Sequence, residues 1–273
     1  MSGRHASPPT PASLAEFRRG GPVTTYTKTL RVHHQVLAAC VMALIVSGFS
    51  LQSEAVSRVG RYLGSAAVLG VVHRIAAIVL VVMFVHHLVT VAVPAVLAGL
   101  AAARGAKAGV IARLGAAWRA IPMLPNLDDA RDALHTVRYF AGREPRDHRA
   151  GRWHYRSKLH YMAIVWGVPA MGLTGLILAL PTVVPFQLAR VLGLVGLAVE
   201  PRTLVAIAEI VHSHEAYLVV IVSVVWHFYR VLVPPRRDVF SGQLTLAEMR
   251  RWHPEWYDAH VAALGYDPLA SPP

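Results

Sequence analysis

Histidines set at matched depths in long apolar segments constrain this chain more than any other feature. The second and fourth of its four apolar segments carry two each: His73 and His87 lie 14 residues apart, and His212 and His227 lie 15 apart. At 100° and 1.5 Å per residue, such spacings return to within roughly 40–60° of one helix face, about 21–23 Å along the axis. A hydrocarbon core is about 30 Å thick. Two such helices side by side offer one histidine pair near each membrane face. Ionisable side chains inside spans are rare and mark function. One intramembrane histidine is readily explained as packed or bonded to a neighbouring carbonyl; four at this spacing on two helices are not.

The spans are expected at about 34–52, 66–93, 159–181 and 204–233. Their length and lack of charge set aside a small soluble domain. The fold class is therefore an all-α integral membrane protein, a four-transmembrane-helix bundle with its cofactor between helices. A net charge of +12 beside 55% hydrophobic residues invites a nucleic-acid reading,. Charge placement gives another. Residues 1–31, 100–158 and 228–273 hold 22 of the 27 Lys and Arg, whereas Arg58, Arg61, Arg74, Arg190 and Arg202 lie on the opposite side. By the positive-inside rule, both termini and the 100–158 loop are cytoplasmic. The excess charge then reports topology and attraction to anionic membrane lipid, with no nucleic-acid partner.

Three parts follow. Residues 1–27, with Pro8, Pro9, Pro11 and Pro22 and no apolar signal region, are expected as a disordered cytoplasmic tail,. Residues 28–235 form the membrane domain, and 236–273 a cytoplasmic C-terminal tail carrying Trp252-His-Pro-Glu-Trp256. Within the loop, 102–123 mixes apolar residues with Arg104, Lys107, Arg113 and Arg119, the pattern of an amphipathic helix on the inner leaflet,. Asn126-Leu-Asp-Asp caps a helix reaching Phe140,. Span three contains Gly167, Gly172, Gly175 and Pro169, which permit close approach and imply a kink,. The apolar segment Pro185 to Glu200 is expected in the outer interface. Spans one and three share a faint repeat: His34 precedes Ser47-Gly48 much as His160 precedes Thr174-Gly175.

Neutral imidazole is the axial ligand of b-type haem iron. The single Cys40 and the absence of C-x-x-C-H leave no covalent haem attachment and no cysteine cluster,. Spans two and four both run from outside to inside, so His73 and His212 make an outer site. The inner site needs His227 and one partner, for which His34 and His87 compete. His33, His86 and His214 point away from these faces by helical phase. Arg74 and Arg230 sit beside ligand candidates, where arginine pairs with propionates,. At the start of span three, His154, Lys158 and His160 offer protonatable groups for a quinone carbonyl, though basic and aromatic residues there also serve as interface anchors.

These residues resemble a known family. Arg31-Val-His-His34 followed by Ser47-Gly48, then His73, His212, His227-Phe-Tyr229 and the tail Gly242…Trp252-His-Pro-Glu-Trp-Tyr257, resemble the membrane cytochrome b (gamma) subunits of formate dehydrogenases. Relatives include thiosulfate-reductase, hydrogenase and cytochrome b561-type bacterial cytochromes; the likeness covers about residues 26–258. It implies two non-covalent b haems, one on His73/His212 and one on His34/His227. It also implies a menaquinone or ubiquinone site near the start of span three. There the family has Asn followed by a small residue, where this chain has His154 and Arg156. Formate-dehydrogenase relatives lack an equivalent of His87, so His87 remains open as an inner ligand, a quinone residue or support for a third haem. The 212–227 interval is also one residue longer than in those relatives.

The reading that follows is a di-haem cytochrome b subunit of a respiratory oxidoreductase, multi-pass in a bacterial inner membrane. It would pass electrons between the quinone pool and a periplasmic or membrane-attached redox subunit, an iron–sulfur protein or a cytochrome c. Two rivals stand beside it: a self-contained quinol-linked reductase, and a haem-free anchor or transporter, which would place its polar groups at the midplane.

Overall fold

The computed structural model describes residues 9–52, 62, 64–104, 109–121, 123–145, 150–233, 236 and 238–270. In chain order come α1 (Pro11–Arg18), β1 (Val23–Thr24), α2 (Lys28–Gln52) and α3 (Ala66–His87). A π-helical stretch, Leu88–Ala92, joins α3 to α4 (Val93–Arg104). Then follow α5 (Val110–Ala120), α6 (Leu127–Phe140), α7 (Tyr155–Ala179), α8 (Val184–Leu194) and α9 (Pro201–Val219). A second π-helical stretch, Val220–His227, leads into α10 (Phe228–Leu232). The chain closes with α11 (Asp238–Ser241), β2 (Gln243–Leu244), α12 (Leu246–Trp252) and α13 (Pro254–Leu264).

Four helical segments among the described residues are long and apolar enough to cross a bilayer: Lys28–Gln52, Ala66–Ala101, Tyr155–Ala179 and Pro201–Leu232. They match the four expected spans, beginning three to six residues earlier in the first, third and fourth and ending eight later in the second, because helices continue past the hydrocarbon wherever backbone bonds can be kept internal,. Pro169 lies inside a continuous α7. Pro94 offers no N–H and its ring crowds the carbonyl of Thr90, four residues back; the π-helical stretch Leu88–Ala92 takes up that misfit,. The outer loop, the Pro234-Pro235 stop and part of the basic stretch before span three fall on residues 53–61, 63, 234–235 and 146–149, outside the described residues. The single helix expected over 102–123 is two elements, the end of α4 and α5, with Gly109 at the α5 N-cap. The cap predicted at Asn126 is present: its side chain accepts from the backbone of Asp128 and Asp129, and Asp129 returns a bond to the Asn126 N–H.

The chain divides into two compact units. One comprises His33–His87 with Ala163–Pro234, the bulk of the spans. The other gathers Met1–Val32, Leu88–Met162 and Pro235–Pro273. In that second unit α1 begins at a capping box on Thr10 with Pro11 in its first turn. β1 pairs antiparallel with β2, Val23 opposite Leu244. Phe17, Val23, Leu244, Leu246, Met249, Trp256 and Tyr257 form its buried core. Burying each large apolar side chain there contributes about 1.5–3 kcal/mol. The disorder expected over 1–27 therefore fails from residue 11 onward, while residues 1–8 lie outside the described residues. The C-terminal tail expected over 236–273 contains the folded elements α11, β2, α12 and α13. The two apolar positions Phe17 and Val23 look unsupported locally because their core comes from the other end of the chain; the Ser13 to His260 bond spans 247 residues.

Within this unit, side-chain bonds tie the two ends of the chain to the middle loop. Arg152 Nη2 donates to the Thr25 carbonyl at 3.1 Å, and His253 Nδ1–H donates to the Gly151 carbonyl at 2.9 Å. Arg236 forms a bidentate pair with buried Asp238, both contacts at 2.9 Å. The amino-terminal segment, the loop before span three and the carboxyl-terminal segment therefore share one side of the membrane. An even number of crossings must separate them, as two plus two spans do.

Two outcomes test this unit. Gly242 sits at φ +75°, and an added Cβ would lie 2.5 Å from the Tyr26 carbonyl oxygen and 2.8 Å from Arg31 Nε. Gly242→Ala should loosen the pairing of the two ends, seen as faster proteolysis of both termini with spans intact. His253 and His260 are pushed below the ordinary histidine range, chiefly by burial. Unfolded, they take up protons near pH 6.5; folded, they resist until lower pH. Stability of this unit should hold above pH 7 and fall as pH drops below about 6.5, measured by tryptophan fluorescence melts across pH.

Candidate functional site

The unit holding His33–His87 and Ala163–Pro234 brings the sequence-predicted histidines together in pairs. His73 on α3 faces His212 on α9, with ring centroids 6.3 Å apart and planes at 64°. His34 on α2 faces His227, at the end of the π-helical stretch in span four, with centroids 5.8 Å apart and planes at 48°. His87 sits against His33 at 5.7 Å, and His86 stacks on His33 at 5.2 Å.

The His73/His212 pair has a matched setting. Ser47 Oγ lies 3.0 Å from His73 Nδ1, and Thr174 Oγ1 lies 3.0 Å from His212 Nδ1. A hydroxyl has one proton to donate. Ser47 gives its proton to the Ala43 carbonyl at 2.6 Å, and Thr174 gives its proton to the Ala170 carbonyl at 2.8 Å. Each imidazole must therefore donate its Nδ1–H to the hydroxyl oxygen. That fixes the neutral tautomer with Nε2 unprotonated, the form that binds a metal. The neighbouring glycines let the rings in: a Cβ on Gly48 would lie 3.1 Å from His73 Cε1, and one on Gly175 would lie 3.2 Å from His212 Cε1. The faint repeat between spans one and three thus has a physical content. Each Ser/Thr-Gly step seats the histidine of the following span.

The rings also fit a shared iron. With metal–nitrogen bonds of about 2 Å, two imidazoles that would hold one ion between them have centroids roughly 6 Å apart. Both pairs meet that spacing, and the donor set is neutral nitrogen in an apolar surround, which suits b-type haem. Residues 25–242 match the family of prokaryotic cytochrome b561. The chain belongs to that family. No curated protein matches the chain. As a member of the cytochrome b561 family it is a multi-pass protein of the bacterial inner membrane that carries haem b and transfers electrons. The haem-free anchor or transporter is set aside with that assignment.

The remaining sequence-predicted residues in this cytochrome have other partners. His33 Nε2–H donates to the Met83 carbonyl at 2.9 Å, and His214 Nδ1–H donates to the Ile210 carbonyl at 2.7 Å. Lys158 is buried in an ion pair with Asp129, Nζ to Oδ2 2.9 Å. His154 stands just before α7, where its Nδ1 accepts from the Arg156 backbone at 3.0 Å. His160, one turn on, is half-buried. These three come together only in the sense of lying at or just before the first turns of α7.

Sequence reasoning missed the hydroxyls of Ser47 and Thr174 as partners of His73 and His212, although their position in the repeat pointed to them. It also missed Asp129, whose capping role hid its second bond. The 15-residue interval between His212 and His227 contains the π-helical stretch Val220–His227. Bonds of the i→i+5 type absorb one additional residue without turning the following face away, so His227 stays in phase with His212.

Ser47→Ala and Thr174→Ala should each weaken retention of one haem by about 10–100-fold, the usual consequence of removing a residue that orients a metal-bound histidine. Haem content after gel filtration reads this directly, and Ser47→Thr should restore it.

Proposed function

We propose that this cytochrome b561 is a di-haem conduit, with one haem on His73 and His212 and the second on His34 and His227. The observation that carries this reading is the presence of two facing imidazole pairs separated along span four by 15 residues, about 22 Å,. His87 is assigned no iron, since it packs edge-on against His33. When bound, haem b supplies reversible one-electron chemistry.

The chain's own residues do the rest. Ser47 and Thr174 hold the Nδ1 protons of His73 and His212, so each ring keeps a basic Nε2 and a fixed plane. Gly48 and Gly175 leave room for those rings. At the basic end, His154, Lys158 and His160 border a quinone site. Quinol oxidation releases two electrons and two protons, and quinone reduction takes them up. His160 and His154 would hold or pass a proton at the quinone oxygens. Lys158, tied to Asp129, would hold positive charge beside them.

Electrons pass between that quinone, menaquinone or ubiquinone, and a redox subunit on the far side, an iron–sulfur protein or a cytochrome c. Formate-dehydrogenase and thiosulfate-reductase complexes use such a gamma subunit, and the residues shared with them support the same place for this chain.

Pyridine haemochrome assay of the purified chain should give about two haems b, the count set by two bis-histidine sites. His34→Ala should lose one, whereas His87→Ala should keep both. Loss in His87→Ala with retention in His34→Ala would move the inner ligand to span two. A quinol analogue should reduce the loaded protein, and His160→Ala should slow that reduction without changing haem content.

A further inference from the structure

In α6 the usual arrangement of a surface helix is inverted. Its polar residues Asp129 and Thr136 are buried, each about 6% exposed, while Leu127, Leu134, Val137 and Phe140 are 78%, 50%, 64% and 77% exposed. At 100° per residue, Leu127, Leu134 and Val137 fall on one stripe, whereas Phe140, at the end of the helix, lies about 60° beyond Val137 and outside that stripe. Asp129 and Thr136 fall on the opposite side. A helix in contact with water on its free side would present the reverse pattern.

What lies against the polar face explains where the helix sits. Lys158 Nζ donates to Asp129 Oδ2 at 2.9 Å, and Arg156 Nη2 reaches Thr136 Oγ1 at 3.5 Å. Both cations belong to the first turn of α7, immediately before the apolar run of span three begins at Leu159. The buried Asp129–Lys158 pair is costly to break, because removal of either partner strands a charge. It fastens α6 to the place where span three meets the membrane surface. The exposed polar edge carries Arg131 and Arg138, and Arg143 follows the helix. Residues 100–158 together hold 12 Lys and Arg.

We propose that α6 is an interfacial helix whose Leu127–Leu134–Val137 face is embedded in the lipid of the basic membrane side, docked by the Asp129–Lys158 pair and favoured by anionic headgroups. An apolar face at the headgroup boundary, with arginines along its edge, is what such a surface binds. The proposal needs only that Tyr155–Ala179 spans the membrane; it does not depend on haem number or quinone binding.

The test uses the full chain with Cys40→Ala as background, in nanodiscs of phosphatidylethanolamine and phosphatidylglycerol. Single cysteines at Leu134→Cys, Val137→Cys and Arg131→Cys carry a nitroxide, and haem absorbance checks the fold. Labels at 134 and 137 should collide several-fold more with oxygen than with a water-soluble nickel chelate, and the label at 131 should show the reverse. Ready access of the nickel chelate at 134 and 137 would overturn the proposal by showing a solvated face. Shielding from both reagents would overturn it by showing a protein cover. On the unsubstituted chain, a lipid-phase diazirine should label the 127–140 peptide; absence of label there, with the spans labelled, would overturn it as well.

Discussion

Two side-chain-to-backbone bonds hold the arrangement on which the rest depends. Arg152 reaches the Thr25 carbonyl and His253 reaches the Gly151 carbonyl, so three basic segments far apart in sequence are fastened on one side of the bilayer. With those three points on one side, the four spans must alternate in direction. His34, His87 and His227 then fall at the basic end, and His73 and His212 at the far end. The depth of every candidate ligand follows from this parity rather than from anything within the spans. Charge placement reaches the same division independently, through the cost of carrying Lys and Arg across hydrocarbon.

Inside the spans the deciding contact is small. A serine and a threonine hydroxyl, each already committed to a carbonyl in its own helix, can only accept from an imidazole. That leaves His73 and His212 with the same bare nitrogen facing each other. Hydroxyls that bond back to the i−4 carbonyl are ordinary in membrane helices. Here the ordinary bond has the consequence of choosing a tautomer.

Much of this was legible in the sequence, and the reasons for what was not are specific. Span positions were readable because lipid forbids unsatisfied backbone groups and so demands long helices. The Asn126 cap was readable because capping is local. The histidine pairs were readable because helical phase is nearly constant over 14 residues. The partner of His227 was not decided by phase: His34 and His87 both lie at the right depth, and helix packing sets His34 opposite it. The folded ends were hidden because Phe17 and Val23 find their core only in residues 244–257. The π-helical stretch before His227 left only an odd interval as its trace. Asp129 looked complete as a capping residue, and nothing local signalled that its carboxylate also holds Lys158.

The pairing of Val23 with Leu244 has a bearing on how the chain is made. During synthesis α1 and β1 emerge well before residues 244–257, and the surface they cover does not exist until those residues leave the ribosome. Closing so long a loop is slow relative to local helix formation, though its entropic cost grows only logarithmically with length. The amino-terminal strand must therefore wait, unpaired and partly apolar, through the insertion of all four spans. A chain released short of residue 244 would leave that strand permanently open. In this protein the folding of α1 and β1 therefore reports that residues 244–257 have been made.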